Sequence, residues 1–141
     1  MRGYACVGLF QPKDAFNIGG VLRAAYCYDV SMVAVQGKRY KHHPADTTKA
    51  FKHLPLFDTD NLFDLIPRDC VPVAVELDDK ARDLRSYVHP ERAFYIFGPE
   101  DGSLGHQVYD KCRDIVYIPT KMCLNLAACV NVVLYDRLAK Q

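Results

Sequence analysis

An α/β domain built on a mainly parallel sheet, with helices on both faces, is what this sequence predicts. Three observations predict it. Apolar runs of strand length alternate with helical patterns along the whole chain. The strand runs are apolar at nearly every position, as strands covered on both faces are, instead of alternating as half-solvated antiparallel strands do. Finally, 141 residues suffice for one ordinary domain with one substantial core, and no repeat, low-complexity tract or linker divides them. A single domain over 1–141 is therefore expected.

Taken in order, Tyr4 to Leu9, Ser31 to Val35, Val71 to Val75, Ala93 to Phe97 and Ile115 to Ile118 read as strands. Their β-branched and aromatic residues favour that state, and turn formers bound most of them. Leu56 to Thr59 is a weaker sixth. Helical patterns fall at Ile18 to Tyr28, Thr47 to His53, Asn61 to Ile66, His106 to Cys112 and Leu124 to Lys140. Asp60 is placed to cap the third of these, and Pro67 ends it. The last helix has almost no polar face before Asp136 and Arg137, so it must be covered on more than one side. In so small a domain a second subunit is the expected cover, with Val133 among the residues meeting it.

Composition narrows the function. Half the residues are apolar, a quarter are charged, and the net charge is +1, so any basic surface must be local. No run reaches the roughly 18 apolar residues of a membrane span, and Met1 to Leu9 lacks the features of a signal peptide, so a cytoplasmic protein is expected. None of the six cysteines forms a C-x-x-C pair, and most sit in apolar runs, which reads as buried free thiols. The five histidines do not cluster usefully either, and no metal is assigned.

Three segments carry chemistry. In the first, Asn17-Ile18-Gly19-Gly20-Val21-Leu22-Arg23 opens a helix just after a strand and a loop with Pro12. A helix start offers backbone N–H groups and partial positive charge to an anion, and the forked Arg23 guanidinium follows six residues later. A capping Asn17 and a solvated Arg23 would give the same pattern. In the second, Phe97-Gly98-Pro99-Glu100-Asp101 leaves a strand, and loops at the carboxyl ends of parallel strands are where such sheets bind ligands. An acidic solvent loop is the alternative. The third, Ile118-Pro119-Thr120-Lys121-Met122-Cys123-Leu124-Asn125-Leu126-Ala127, leads from a strand into the apolar helix. A buried Asn125 needs partners for its amide; an ordinary helix cap is the alternative.

Together these segments resemble the SpoU-type branch of the SPOUT RNA methyltransferases. That family's pattern is Asn-x-Gly-x-x-x-Arg early, a Phe-Gly-x-Glu loop after a strand, and an Ile-Pro segment leading to Ser-Leu-Asn and an apolar helix. Asn17, Gly19 and Arg23, then Phe97, Gly98 and Glu100, then Ile118, Pro119, Leu124 and Asn125 match it across nearly the whole chain. Two departures stand out: Cys123 replaces the usual Ser, and the loop from Pro119 to Asn125 is short.

The resemblance implies a C-terminal trefoil knot, an exception to the rule that chains avoid threading. It implies S-adenosylmethionine held by three loops: Val75, Glu76 and Leu77; Gly98, Pro99 and Glu100; and Ile118 through Cys123, Leu124 and Asn125 to Ala127. It further implies a homodimer through the C-terminal helix and an RNA substrate methylated on a ribose 2′-hydroxyl. The size is similar to that of minimal members acting on the tRNA wobble nucleotide, with rRNA as the alternative target. In this reading Arg23 orients the hydroxyl and stabilises charge, while Asn17 and Glu100 hold Arg23 and the nucleotide. Lys38, Arg39, Tyr40 and Lys41 form the densest basic cluster, with a ring for stacking, and are expected to bind RNA.

Two rival classes remain. A dinucleotide-dependent oxidoreductase lacks its G-x-G-x-x-G after the first strand. A non-catalytic RNA-binding module of the same fold would have lost its cofactor pocket, against which stand Asn17, Arg23, Glu100 and Asn125.

Overall fold

The computed structural model of the chain describes residues 3–37 and 52–141. Seven strands among them form one sheet, β1 Tyr4–Phe10, β2 Met32–Gln36, β3 Leu56–Thr59, β4 Val71–Val75, β5 Arg82–Asp83, β6 Arg92–Phe97 and β7 Asp114–Tyr117. Their spatial order is β3-β2-β1-β6-β4-β7-β5, and every pairing is parallel. Three α-helices accompany them: α1 Ala15–Cys27, α2 His106–Tyr109 and α3 Leu126–Ala139.

The side-chain alternation of the strands divides the core into two layers. On β6, Ala93, Tyr95 and Phe97 face α1 and α3, together with Leu9, Val33, Val73 and Val116 of neighbouring strands. Phe94 and Ile96 point the other way, toward Leu62, Leu104 and Val108. Both faces are thus covered, which is why the strands read as unbroken apolar runs. The expected layered α/β architecture holds.

Element ends depart from expectation for local reasons. Helix α1 starts at Ala15, not near Asn17, because Asp14 is the cap: its carboxylate accepts from Phe16 N at 2.8 Å. It ends in a Schellman arrangement, Asp29 N donating to Tyr26 O and Val30 N to Ala25 O, with Asp29 at φ 57° where glycine is commoner. Asn61, not Asp60, caps the third helical segment, which is a short 3₁₀ turn over Leu62–Leu65. Helix α2 is one turn long, because the chain must turn back to lead into β7. Strand β5 was not foreseen: two charged residues at a sheet edge carry no hydrophobic pattern, and only backbone pairing with β7 defines them. The helix expected over Thr47 to His53 lies mostly outside the described residues.

Helix α3 buries Leu126, Val130, Val133 and Leu134, while Val132, Tyr135 and Leu138 are exposed. Val133 is fully buried in its own chain's core, so it is not a residue that meets a mate. Arg137, expected to start a polar face, is also buried. Its guanidinium donates to Pro90 O at 2.7 Å, Glu91 O at 2.6 Å and Tyr95 Oη at 3.2 Å. A directional chain continues from it: Tyr95 Oη lies 2.7 Å from His89 Nδ1, and His89 Nε2 lies 2.7 Å from Asp136 Oδ2. Because the Asp136 carboxylate can only accept, the neutral imidazole carries its proton on Nε2, which leaves Nδ1 to accept from the Tyr95 hydroxyl. Burial accordingly pushes the His89 pKa down, against the pull of Asp136. This network ties the end of α3 to the segment preceding β6.

The thiols divide differently from expectation. All six cysteines are free, but Cys27 and Cys123 are exposed, and only Cys6 and Cys70 are fully buried.

Candidate functional site

The carboxyl ends of β4, β6 and β7 open into three loops, and these loops enclose a cavity of about 320 Å³. That volume lies within the range of small-molecule sites. Val75, Glu76 and Leu77 line it from the first loop, Gly98, Pro99 and Glu100 from the second, and Ile118, Cys123 and Leu124 from the third. Nine of the eleven residues expected to hold a cofactor therefore share one cavity wall. A second cavity, about 340 Å³, lies at the opposite ends of the strands between the carboxyl ends of α1 and α3. Parallel sheets place ligands at strand carboxyl ends, so the first cavity is the candidate site.

Two residues take other places. Asn125 is exposed and caps α3, its Oδ1 accepting from Ala128 N at 2.8 Å. The buried-amide reading is replaced by the helix-cap alternative. Ala127 meets α1: a Cβ at Gly20 would come within 2.8 Å of the Ala127 Cβ. Gly20 is thus required for helix packing and not for close approach of an anion.

Tyr117 and Cys129, not singled out from the sequence, also line the cavity, together with Phe97, Met122 and Leu126 of the segments that were. Phe97 and Tyr117 are the last residues of their strands, and Leu126 and Cys129 are one helical step apart, so the signal lay in element ends. The wall is largely apolar, suited to a flat ring, while the polar groups come from the loops. Burial pushes the Cys129 thiol up to about 11, so it stays protonated and inert.

Glu76 lies half-buried across two loops. Its Oε1 accepts from Leu77 N at 3.3 Å and its Oε2 from Leu104 N at 3.4 Å, while burial raises its pKa. Gly98 sits against it: an added Cβ would lie 3.1 Å from Glu76 Oε2 and 3.2 Å from Leu104 Cγ. The second loop is therefore a tight cradle, in which a side chain at this position would make Glu76 or Leu104 give way by a few tenths of an ångström. A cofactor bound by backbone approach fits such a cradle.

Glu100 holds the loop before α1. Its carboxylate accepts from Lys13 N at 3.2 Å, Asp14 N at 2.9 Å and Asn17 Nδ2 at 3.2 Å. Glu100 thus sets a carboxylate beside the amino end of α1, the end that favours negative charge, while Phe16 N in the first turn is taken by Asp14. Asn17 and Glu100 are brought together, as expected. Arg23 is not part of their cluster. It is exposed on the outer face of α1, six residues or about 9 Å along the axis from Asn17, and does not line the cavity. Lys38, Arg39, Tyr40 and Lys41 lie outside the described residues.

Among the described residues no group of three or more His, Cys, Asp or Glu could hold a metal ion, and no helix is long and apolar enough to cross a membrane.

Residues 4–135 match the family model of the SpoU rRNA methylases. No curated protein matches the chain by sequence. Among solved structures, the SpoU methyltransferase AviRb from Streptomyces viridochromogenes superposes with a TM-score of 0.84 at 18% identity, over 99% of this chain and 62% of that one. An rRNA methyltransferase from Sinorhizobium meliloti gives 0.86 at 20% identity, over 98% of this chain and 56% of that one. Both of those proteins have also been crystallised with AdoMet. A third structure, concerned with 2-OH methylation of C/U34 on tRNA, gives 0.82 at 20% identity, over 99% and 92% of the two chains. The chain thus spans about three fifths of the first two proteins, and at these identities the likeness is one of fold.

Proposed function

The chain belongs to the SpoU rRNA methylase family, and from that premise we propose that it methylates RNA on a ribose 2′-hydroxyl with S-adenosylmethionine as donor. The observation that carries the reading is the cavity walled by three loops at the ends of β4, β6 and β7, with Gly98 as its tight cradle.

S-adenosylmethionine supplies a methyl group already activated by its sulfonium. What remains for the protein is placement. The apolar residues of the cavity would hold the cofactor's adenine, and the backbone around Gly98 and Ile118 would offer it polar partners. Glu100 and Asn17 fix the amino end of α1 against the cavity, so that α1 and the cofactor loops keep one geometry. Arg23, always protonated, orients the nucleotide and stabilises charge as the hydroxyl proton departs to a phosphate oxygen or water. Lys38, Arg39, Tyr40 and Lys41 draw in the RNA backbone.

A homodimer through α3 is part of the same proposal, supported by the exposed Val132, Tyr135 and Leu138 on that helix. So are a C-terminal trefoil knot, a tRNA substrate with the wobble nucleotide foremost, and a cytoplasmic location. The tRNA reading draws support from the likeness that covers 92% of the structure concerned with C/U34.

Incubating the protein with labelled S-adenosylmethionine and separated tRNA and rRNA pools, then mapping the product, tests this reading. Label should enter RNA at a ribose, and a substrate with 2′-deoxyribose at the mapped position should be inert. Methyl transfer to that deoxy substrate would establish base methylation and overturn the mechanism. Label in rRNA alone would replace the tRNA assignment.

A further inference from the structure

Charge is distributed unevenly around the candidate cavity. Its first loop contributes the Glu76 carboxylate and its second the Glu100 carboxylate, while the third, from Ile118 to Leu124, lines it without an acid. Lys121 on that third loop is the only cation among the lining residues. It is exposed, and among the described residues no ion pair engages its ammonium.

The third loop has few other ways to hold an anion. Thr120 donates its hydroxyl proton to Met122 O at 2.7 Å, and the Cys123 thiol is a weak donor. The Lys121 ammonium, with three N–H groups, is therefore the strong side-chain donor of this loop. Only five residues separate Pro119 from Asn125, so the loop is too short to carry Lys121 far from the wall. Met122, 80% exposed, and Leu77, 77% exposed, line the same cavity, so its wall joins open apolar surface to a single cation. Such a wall suits a ligand with a flat apolar ring at one end and an anionic group at the other.

S-adenosylmethionine carries two positive groups, its sulfonium and its α-ammonium, and one negative group, its carboxylate. The two carboxylates and one ammonium of the wall answer these in sign. A cofactor carboxylate set against Glu76 or Glu100 would be repelled, whereas the third loop attracts it. Resting on the methyltransferase reading, we propose that Lys121 binds the carboxylate of the cofactor's amino-acid end. It thereby selects S-adenosylmethionine over adenine nucleosides that lack that end. Lys121 is a binding residue in this account and takes no part in proton transfer.

The test measures calorimetric binding of three ligands. These are S-adenosylmethionine, S-adenosylhomocysteine, which keeps the carboxylate but lacks the sulfonium charge, and 5′-methylthioadenosine, which lacks the whole amino-acid end. Lys121→Met should weaken the first two about tenfold, the scale of one charge-assisted contact, and leave methylthioadenosine unchanged. Lys121→Arg keeps the cation and should restore most of the lost affinity. Added salt should weaken S-adenosylmethionine binding more in the wild type than in Lys121→Met, because the attraction that salt screens is gone from the variant. Lys111 precedes β7 and lies 5.2 Å from the centre of the Phe63 ring, away from the cavity wall. Lys111→Met removes an equal charge there and should bind all three ligands as wild type. Wild-type S-adenosylmethionine affinity in Lys121→Met would overturn the assignment. Equal losses for S-adenosylmethionine and methylthioadenosine would overturn it too, because they would make Lys121 a support of the loop and not a partner of the carboxylate. A wild-type protein that binds none of the three ligands would instead remove the cofactor reading on which the assignment rests.

Discussion

Replacing Arg137 with Met should destabilise the protein by about 2–3 kcal/mol, and the structure indicates where that loss arises. The guanidinium is buried, 5% exposed, and donates to two backbone carbonyls and one hydroxyl. Glu91 O keeps a donor in Tyr4 N at 3.0 Å, and Tyr95 keeps His89 as its acceptor. Among the described residues Pro90 O has no second donor of this kind, so its desolvation of about 1–3 kcal/mol is the largest uncompensated part. Lost charge-assisted bonds add to it, and relief from burying a cation offsets some of it. An unfolding entropy of about 2.1 cal/mol/K per residue gives about 0.3 kcal/mol/K for this chain, so Tm should fall by about 8 °C. Far-ultraviolet circular dichroism with heat and urea measures both quantities. Arg92→Met provides the contrast. Arg92 pairs with Asp69 at 2.6 Å, but both side chains are about half exposed, so under about 1 kcal/mol should be lost. A fall below about 2 °C for Arg137→Met, or equal losses for the two variants, would refute the argument that the buried network fastens α3.

Four further outcomes are expected. Gly98→Val should abolish calorimetric binding of S-adenosylmethionine while circular dichroism stays native, because even a first added carbon meets Glu76 and Leu104 at 3.1 and 3.2 Å; unchanged affinity would remove the cofactor from this loop. Arg23→Lys keeps the charge but loses the fork, so turnover should fall at least tenfold with cofactor affinity near wild type; full activity would take Arg23 out of the mechanism. Tyr135→Asp places a charge on the exposed apolar face of α3 and should convert a dimer to monomers by light scattering; a wild-type monomer would defeat the interface. Burial lowers the folded-state pKa of His89 below its ordinary value of 6.5, so the unfolded chain binds the proton first as pH falls. Stability should therefore drop below about pH 6.5 until the folded histidine also titrates, and His89→Gln should flatten that slope in urea titrations; an unaltered slope would mean that His89 is not the titrating group.

The sequence by itself determined the layered α/β architecture. Strands buried on both faces must be apolar at consecutive positions, and that property is local enough to read from Ala93 to Phe97 or Val71 to Val75 alone. Through its motifs' resemblance to the SpoU family it also pointed to the three loops that wall the cavity, where small and turn-forming residues such as Gly98, Pro99 and Pro119 follow parallel strands that end on one side. Tertiary structure decided what depends on partners distant in sequence. Glu100 reaches the loop before α1 and Asn17 across 83 to 87 residues, so its carboxylate brings negative charge to a helix end that the sequence left open to a ligand. Gly20 serves α3 because the two helices touch there, and Asn125 caps a helix that begins two residues later than its apolar pattern. Arg137, expected with Asp136 to begin a polar face, is buried instead, since burial of a cation is favourable only when acceptors such as Pro90 O and Glu91 O converge on it, and that convergence exists only in the folded chain.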